Sequence, residues 1–180
     1  MKSQSPEALV LVDGYNVIGA WNNLKITRDR HGLEMARYEL VEALINYASH
    51  HCYKTKVVFD SQYQQTPSQE EEHTPFLSVY YTAFSETADT YIERACASFR
   101  NVYTLPSRII VATTDQAQRH TVVGYGAEWM SSLKLQSEVL AASRRSRDHS
   151  KTSQSKRGRH LFNGLDPKVQ QQLQQLRLGL

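Results

Sequence analysis

The sequence predicts an α/β fold with a central, mostly parallel sheet. Short apolar runs alternate along the chain with longer segments whose apolar residues recur at helical spacing, and this alternation is typical of βαβ units. Right-handed crossovers in such units place helices on both faces of the sheet. The length of 180 residues, with 40% hydrophobic and 22% charged residues, suits one globular domain with a tail.

Five runs predict the strands, and the first is the most apolar. The run ALVLVD at 8–13 has no polar alternation, as expected for a strand that is buried on both faces. The other predicted strands are KVVFD at 56–60, LSVYYT at 77–82, RIIVATTD at 108–115 and the short GAEWMS at 126–131.

Four segments predict helices, and residues 32–51 give the clearest signal. Their apolar side chains fall at positions 36, 40, 41, 44, 45 and 48, which is the spacing of one helix face. The other predicted helices are 85–99, 116–126 and 131–143. Residues 61–75 contain two prolines and an acidic triplet, and this composition favours a flexible loop.

Charge divides the chain into an acidic body and a basic tail. Residues 1–142 hold twelve Lys or Arg and sixteen Asp or Glu, a net charge of −4, whereas residues 143–180 hold nine Lys or Arg and two Asp, a net charge of +7. We therefore predict a folded domain at 1–142 and a basic, Ser/Arg-rich tail at 143–180. The tail suits a polyanionic partner or simple solubilisation. Its apolar content is too low to order residues 143–159, while residues 165–180 are a candidate for a short helix.

Several protein classes lack support in the sequence. The longest apolar runs are too short for a transmembrane helix, and the first seven residues leave no room for a signal peptide. Two cysteines are too few for a disulfide framework. We therefore expect a cytoplasmic protein with no membrane partner. Neither a GxxxxGK[ST] loop nor a GxGxxG motif is present, which disfavours a nucleotide-binding Rossmann-like domain.

Acidic residues recur where the predicted strands end. Asp13, Asp60 and Asp115 each close a predicted strand, and Glu86 and Asp89 open the helix after the third strand. Because sites in parallel sheets form beyond the carboxyl ends of the strands, these side chains are expected at one edge. Clustered carboxylates repel one another unless a cation is bound, and hard oxygen ligands suit Mg²⁺ or Mn²⁺.

Each acid also has a purely local explanation. Asp13 could begin a turn with the glycine that follows it, and Asp60 could cap or start a loop. Asp115 is a good helix N-cap, and Glu86 would be favoured near a helix N-terminus by the helix dipole. The residues alone leave both explanations open at every position.

Five blocks occur in the order LVDGYNVIGAW, VVFDSQY, SETADTYIERA, VATTD and GAEWMS. In this combination they resemble the YacP-like branch of the NYN domains, which are relatives of PIN-domain nucleases. The resemblance covers residues 8–142. It implies a PIN-like three-layer α/β/α sandwich and a metal-dependent endoribonuclease, with mRNA on the ribosome as the candidate target. Single-stranded RNA is the expected substrate, because exposed aromatic residues at the active-site edge suit unstacked bases.

The resemblance also implies roles for individual residues. Asp13, Asp89 and Asp115 would be the catalytic acids that bind Mg²⁺ or Mn²⁺, and Asn16 would position Asp13, a metal-bound water or the phosphate. Asp60 and Glu86 are peripheral acidic candidates. The positive charges expected to neutralise RNA phosphates are Arg28, Arg30, Arg144, Arg145, Arg147, Lys151, Lys156, Arg157 and Arg159.

A non-catalytic RNA- or ribosome-binding adaptor is the main rival. It would retain the NYN fold and use the basic tail in the same way. The set of acids favours catalysis, because an adaptor has no need to keep mutually repelling carboxylates at one sheet edge.

Overall fold

The computed structural model describes residues 6–61, 67–99 and 106–163, with side chains as far as residue 147. Within this part of the chain there are six strands and six helices. The strands are β1 (Ala8–Asp13), β2 (Tyr53–Phe59), β3 (Gln69–Thr74), β4 (Leu77–Tyr81), β5 (Ile109–Ala112) and β6 (Glu128–Met130). The helices are α1 (Gly14–Ala20), α2 (Asn22–His31), α3 (Leu33–His51), α4 (Ala88–Phe99), α5 (Gln116–Gly124) and α6 (Ser132–Asn163).

The strands form one sheet in the order β3-β4-β2-β1-β5-β6. All neighbouring strands are parallel except β3 and β4, which are antiparallel. The predicted α/β class with a mostly parallel sheet is therefore confirmed. The strand β1 is central, with β2 on one side and β5 on the other, and its buried, unbroken apolar run matches that position.

Alternate residues of the central strands build two cores. Val10 and Val12 face the larger core, to which α1, α2, α3 and the start of α6 contribute. Leu11 faces the smaller core, which α4 and α5 cover through residues such as Ile92 and Val122. The sheet is therefore the middle of three layers, as predicted.

The region between Asp13 and the long helix α3 forms two helices, α1 and α2, that were not predicted from the sequence. Asp13 caps α1, and Trp21 separates α1 from α2. The indole N–H of Trp21 donates to the main-chain oxygen of Ser132 at 2.7 Å. The end of α1 is therefore joined to a residue 111 positions away in the chain, a contact that no local pattern reveals.

The prediction of a flexible loop at 61–75 is wrong for residues 69–74, which form the edge strand β3; residues 62–66 lie outside the described part of the chain. The pairing of β3 with β4 supplies main-chain hydrogen bonds, and Glu70 forms an ion pair with Lys56 at 2.9 Å. Three consecutive glutamates, Glu70–Glu72, occupy this exposed strand. Charge on an edge strand discourages pairing with a further strand.

The prediction that residues 143–159 lack order is also wrong, because α6 continues to Asn163. The helix starts in the body, where Leu135, Val139 and Ala142 are buried. Extending an existing helix avoids the nucleation cost, and Arg, Lys and Gln are good helix formers. The candidate helix at 165–180 lies outside the described residues.

Internal contacts divide the chain into Met1–Ser143 and Arg144–Leu180. The predicted division at 142 and 143 remains a prediction about independent folding. Among the described helices, none combines the length and apolar character that a membrane crossing requires.

Candidate acidic site at the carboxyl edge of the sheet

The order of the strands places a switch point beside β1. The chain proceeds from β1 to β2 on one side, whereas β5 pairs with β1 on the other side. Ligand sites in open α/β sheets lie beyond the strand ends at such a point. Asp13 is the last residue of β1, so it stands at the switch point.

Asp13 is a buried acid, with 8% of its surface exposed. It caps α1, since its Oδ1 accepts the main-chain N–H of Asn16 at 3.1 Å. The pKa of Asp13 is raised from 3.8 to about 7, and burial is the largest cause. The Asn16 N–H acts in the opposite direction, and repulsion from Asp89, Asp60 and Asp115 contributes to the increase. The four carboxyl groups are therefore close enough to interact although they come from separate elements.

Asp89 lies in the first turn of α4. Burial raises its pKa, with further contributions from Asp115, Asp60 and Glu93. Gln118 from α5 donates its Nε2–H to Asp89 Oδ1 at 2.5 Å. The Gln118 side chain is 2% exposed, and its Oε1 atom is buried without a hydrogen-bond donor. This clamp on Asp89 was missed by the sequence analysis, because a glutamine within a helix carries no distinctive signal.

Asp60 and Asp115 both accept main-chain N–H groups at helix N-termini, as their local explanations proposed. Asp60 follows β2 and accepts the main-chain N–H of Ala88 at the start of α4. Asp115 accepts the N–H groups of Ala117 at 2.7 Å and Gln118 at 3.0 Å at the start of α5. The helix N-termini and the acids therefore meet at the same edge.

Helix capping is compatible with cation binding, because a carboxylate has two oxygens. The bonds to Asp13, Asp60, Asp89 and Asp115 all go to Oδ1. Among the described residues, no three His, Cys, Asp or Glu side chains are already arranged as a metal cluster. Mg²⁺ commonly keeps several waters and binds through one or two carboxylates. Hard oxygen donors that repel one another fit such an ion, and the set Asp13, Asp89 and Asp115 stays a prediction.

Asn16 joins the two sides of the switch point. Its Oδ1 accepts from the main-chain N–H of Thr114 at 2.7 Å and from the Thr114 hydroxyl at 2.6 Å, and Ser132 Oγ lies at 3.5 Å. A main-chain N–H can only donate, so the amide oxygen must face Thr114. Asn16 thus fixes the start of α1 against the loop after β5, and its positioning role toward Asp13 stays a prediction.

Glu86 differs from the prediction. The helix α4 begins at Ala88, so Glu86 precedes the helix that it was predicted to open. Its carboxylate forms an ion pair with Arg94 at 2.5 Å. Thr87 takes the capping position, since its hydroxyl accepts the N–H of Thr90 at 3.1 Å.

An aromatic layer lies beside the acids. Gly14 starts α1 against the Phe59 ring, and a Cβ built on Gly14 would lie 2.2 Å from Phe59 Cε1. Tyr15 is 5.1 Å from Phe59, and Tyr81 is 5.9 Å from Phe59, measured between ring centroids. The Arg37 guanidinium lies 6.0 Å from the Phe59 and Tyr81 ring centres and donates to Tyr15 Oη at 3.4 Å. Tyr15 is half-buried in this layer, and Arg37 was not among the predicted cations.

The predicted RNA-binding cations lie on two helices. Arg28 and Arg30 are in the last turn of α2, and Arg28 forms an ion pair with Asp29 at 2.9 Å. Arg144, Arg145 and Arg147 are exposed residues of α6. The described backbone places Lys151, Lys156, Arg157 and Arg159 on the same helix.

A further cation near Asp115 was also missed. The Arg119 guanidinium lies 4.1 Å from the centre of the Trp129 ring, and the Trp129 indole N–H donates to the main-chain oxygen of Thr113 at 3.0 Å. This pair joins α5 to β6 next to the loop after β5. Only the fold brings the two residues together.

The three-layer sandwich and the strand order, with acids beyond the carboxyl ends of its strands, define a PIN-like α/β/α domain. A model of the YacP-like NYN domain matches residues 10–178, so the matched range includes most of the basic region. The chain is 34% identical over 137 residues to the uncharacterized protein YacP of Bacillus subtilis (strain 168), covering 76% of this chain and 78% of that protein.

Two crystal structures of Rae1 (YacP) from Bacillus subtilis are similar to this chain. A mutant form gives a TM-score of 0.67 at 29% identity and covers 92% of this chain and 98% of that chain. A second structure gives a TM-score of 0.65 at 31% identity and covers 95% of each chain. The chain therefore belongs to the YacP-like NYN domain family, as the sequence motifs predicted.

Proposed function

We propose that the protein is a divalent-metal-dependent endoribonuclease that cleaves single-stranded RNA, including mRNA on the ribosome in the cytoplasm. The observation that carries the proposal is geometric: the carboxyl groups of Asp60, Asp89 and Asp115 come from separate elements and lie close enough to the buried Asp13 to repel it. Membership of the NYN family supports a nuclease that acts on RNA.

The acids of the edge would hold Mg²⁺ or Mn²⁺, with Asp13, Asp89 and Asp115 as the proposed ligands. Such an ion supplies a water of lowered pKa and stabilises the charge that develops on the phosphate. Binding of a cation would also relieve the repulsion that raises the pKa of Asp13.

The chain's own residues supply the positioning. Gln118 orients Asp89 through its hydrogen bond, and Asn16 holds the start of α1 against Thr114. These bonds fix the carboxylates relative to each other, so that a bound phosphate would meet a preformed arrangement. The carboxylate side chains at the edge would therefore move less before the phosphate binds.

The cations would bind the RNA backbone. Arg28 and Arg30 on α2, together with the basic residues of α6, would neutralise phosphates in a salt-dependent manner. A strand without partner bases suits the half-buried rings of Tyr15 and Tyr81 next to the acids, because unstacked bases pack on aromatic rings.

Cleavage of a labelled single-stranded RNA by the purified full chain tests the proposal. We expect cleavage in Mn²⁺ and none in EDTA. Asp13→Asn and Asp89→Asn should each lower the rate by at least about 100-fold, because loss of a metal-binding carboxylate removes several kcal/mol of transition-state stabilisation. Asparagine keeps an oxygen that can accept the Asn16 N–H at position 13 and the Gln118 side-chain N–H at position 89, so each variant should remain folded.

Glu7→Gln is the matched control, since Glu7 is exposed and lies next to the opposite end of β1. This variant should cleave the RNA at the same rate as the unchanged protein. Equal cleavage by all variants would contradict the proposal. RNA binding with no cleavage in any metal would instead support the non-catalytic adaptor.

A further inference from the structure

A surface cavity of about 180 Å³ lies between α3, β3 and β4. Its walls include Arg37, Tyr38 and Tyr81, with Val41 and Val79 as apolar lining. Pockets for drug-sized ligands are usually about 300–1,000 Å³. The smaller volume suits one planar ring system better than a whole nucleotide.

The cavity lies beside the acidic edge. Tyr81 is the last residue of β4 and is stacked with Phe59, the residue that precedes Asp60. Arg37 contacts Tyr15, which is two residues after Asp13. The aromatic layer is therefore the wall between the carboxylates and the cavity.

The charges of the lining disfavour a phosphate. Glu34, Glu42 and Glu71 line the cavity, against one guanidinium from Arg37 and one histidine, His73. An anion would be repelled by three carboxylates. A neutral ring with N–H groups would instead find acceptors in the glutamates and donors in Arg37.

We propose that this cavity binds one unstacked nucleobase of the RNA strand, with guanine preferred. Guanine offers O6 and N7 as acceptors to an arginine, which is the commonest specific contact between arginine and a base. Its N1–H and N2–H groups match the carboxylates of the glutamates, and Tyr38, which is 61% exposed, provides a ring at the rim. The inference rests on the proposed function, because the base must belong to the RNA that meets the acidic edge.

Binding of short RNAs tests the cavity separately from cleavage. Fluorescently labelled heptamers of uridine with a central G, A, C or U are titrated with the full chain in EDTA, and anisotropy is measured. We expect the G-containing heptamer to bind at least about 5-fold more tightly than the all-uridine heptamer, the lower limit for a good bidentate contact.

Two variants and a control locate the effect. Arg37→Gln should reduce the preference for G to less than about 2-fold, since the paired donors are lost. Tyr38→Ala should weaken binding of every heptamer several-fold without affecting folding, because the ring is mostly exposed. Tyr125→Ala removes a tyrosine that is 38% exposed and outside the cavity. This control should change neither the preference for G nor the affinity for the heptamers.

The outcomes separate this inference from the proposed nuclease. Cleavage in Mn²⁺ that depends on Asp13 but shows no base preference, with cavity variants like the unchanged protein, would overturn the cavity and leave the nuclease. Preference for G that depends on Arg37, without cleavage, would support the cavity and overturn the nuclease. Equal binding of all heptamers by all variants would overturn the cavity.

Discussion

The carboxyl edge of the sheet and the basic part of α6 are built in opposite ways. At the edge, Asp13 and Asp89 are held by bonds to Asn16 and Gln118 within a packed body. In α6, exposed arginines such as Arg144 follow one another along a helix. The edge therefore depends on individual contacts, whereas the basic helix depends on total charge. Substitutions at the edge should accordingly change the free energy of unfolding and the cleavage rate. Substitutions in the basic helix should change the salt dependence of RNA affinity.

The pH dependence of stability should sharpen this comparison most. The folded-state pKa of Asp13 is about 7 and its ordinary value is 3.8. The protonated Asp13 therefore contributes its full stabilisation of the folded state below about pH 4. This stabilisation is lost progressively as the pH rises to about 7. Relative to Asp13→Asn, the free energy of unfolding should fall by about 2–3 kcal/mol between pH 5 and pH 8.

Urea unfolding at several pH values measures this difference. Adding Mg²⁺ at pH 8 should recover much of the loss in the unchanged protein, because the cation offsets the repulsion, and should have little effect on Asp13→Asn. Parallel curves of unfolding free energy against pH for the two proteins would show that ionisation of Asp13 costs no stability. That result would contradict the raised pKa of Asp13.

Gly14→Ala should be the next largest effect. The added methyl would overlap the buried Phe59 ring, and overpacking of this kind destabilises by about 1–3 kcal/mol. The control is Gly19→Ala in the same helix, where nothing lies within 4 Å of the new Cβ; it should stabilise by about 0.5–1 kcal/mol. Urea midpoints measure both changes, and a neutral Gly14→Ala would mean that α1 does not pack tightly on β2.

Neutralising the basic helix should have the smallest effect on folding. Replacement of Arg144, Arg145 and Arg147 with glutamine should leave the urea midpoint unchanged, because these residues are exposed. The slope of log affinity against log salt for single-stranded RNA should decrease by about 2, at about 0.7 for each lost phosphate contact. Anisotropy titrations from 50 to 200 mM salt measure it. A loss of stability comparable to that of Gly14→Ala would break the comparison between the two regions.

The sequence predicted those features that depend on local pattern. The α/β order, the mostly parallel sheet and the placement of Asp13 and Asp115 near strand ends follow from short apolar runs and their final residues. The pairing of Asn16 with Thr114 joins positions 98 residues apart, and the cavity around Arg37 joins α3 to β3 and β4. Such features depend on tertiary packing, which no window of the sequence contains.

The two segments wrongly predicted to lack regular structure, residues 69–74 and 143–159, share a physical cause. The strand β3 is polar, and the later part of α6 is rich in charge, so each was interpreted as lacking order. Hydrogen bonds to β4 stabilise β3. The later part of α6 continues a helix that starts in the packed body. Polarity therefore indicates exposure more reliably than it indicates the absence of regular structure.

The bond from Thr114 to Asn16 restricts which side chains evolution can place at position 16. Aspartate has nearly the same shape and would accept the same donors, yet it would add a negative charge to neighbours that already repel one another. Leucine would add no charge but would leave the Thr114 N–H without its acceptor. Of these three side chains only the amide meets both conditions, so fewer substitutions should be tolerated at this position than at the exposed residues of the same short helix.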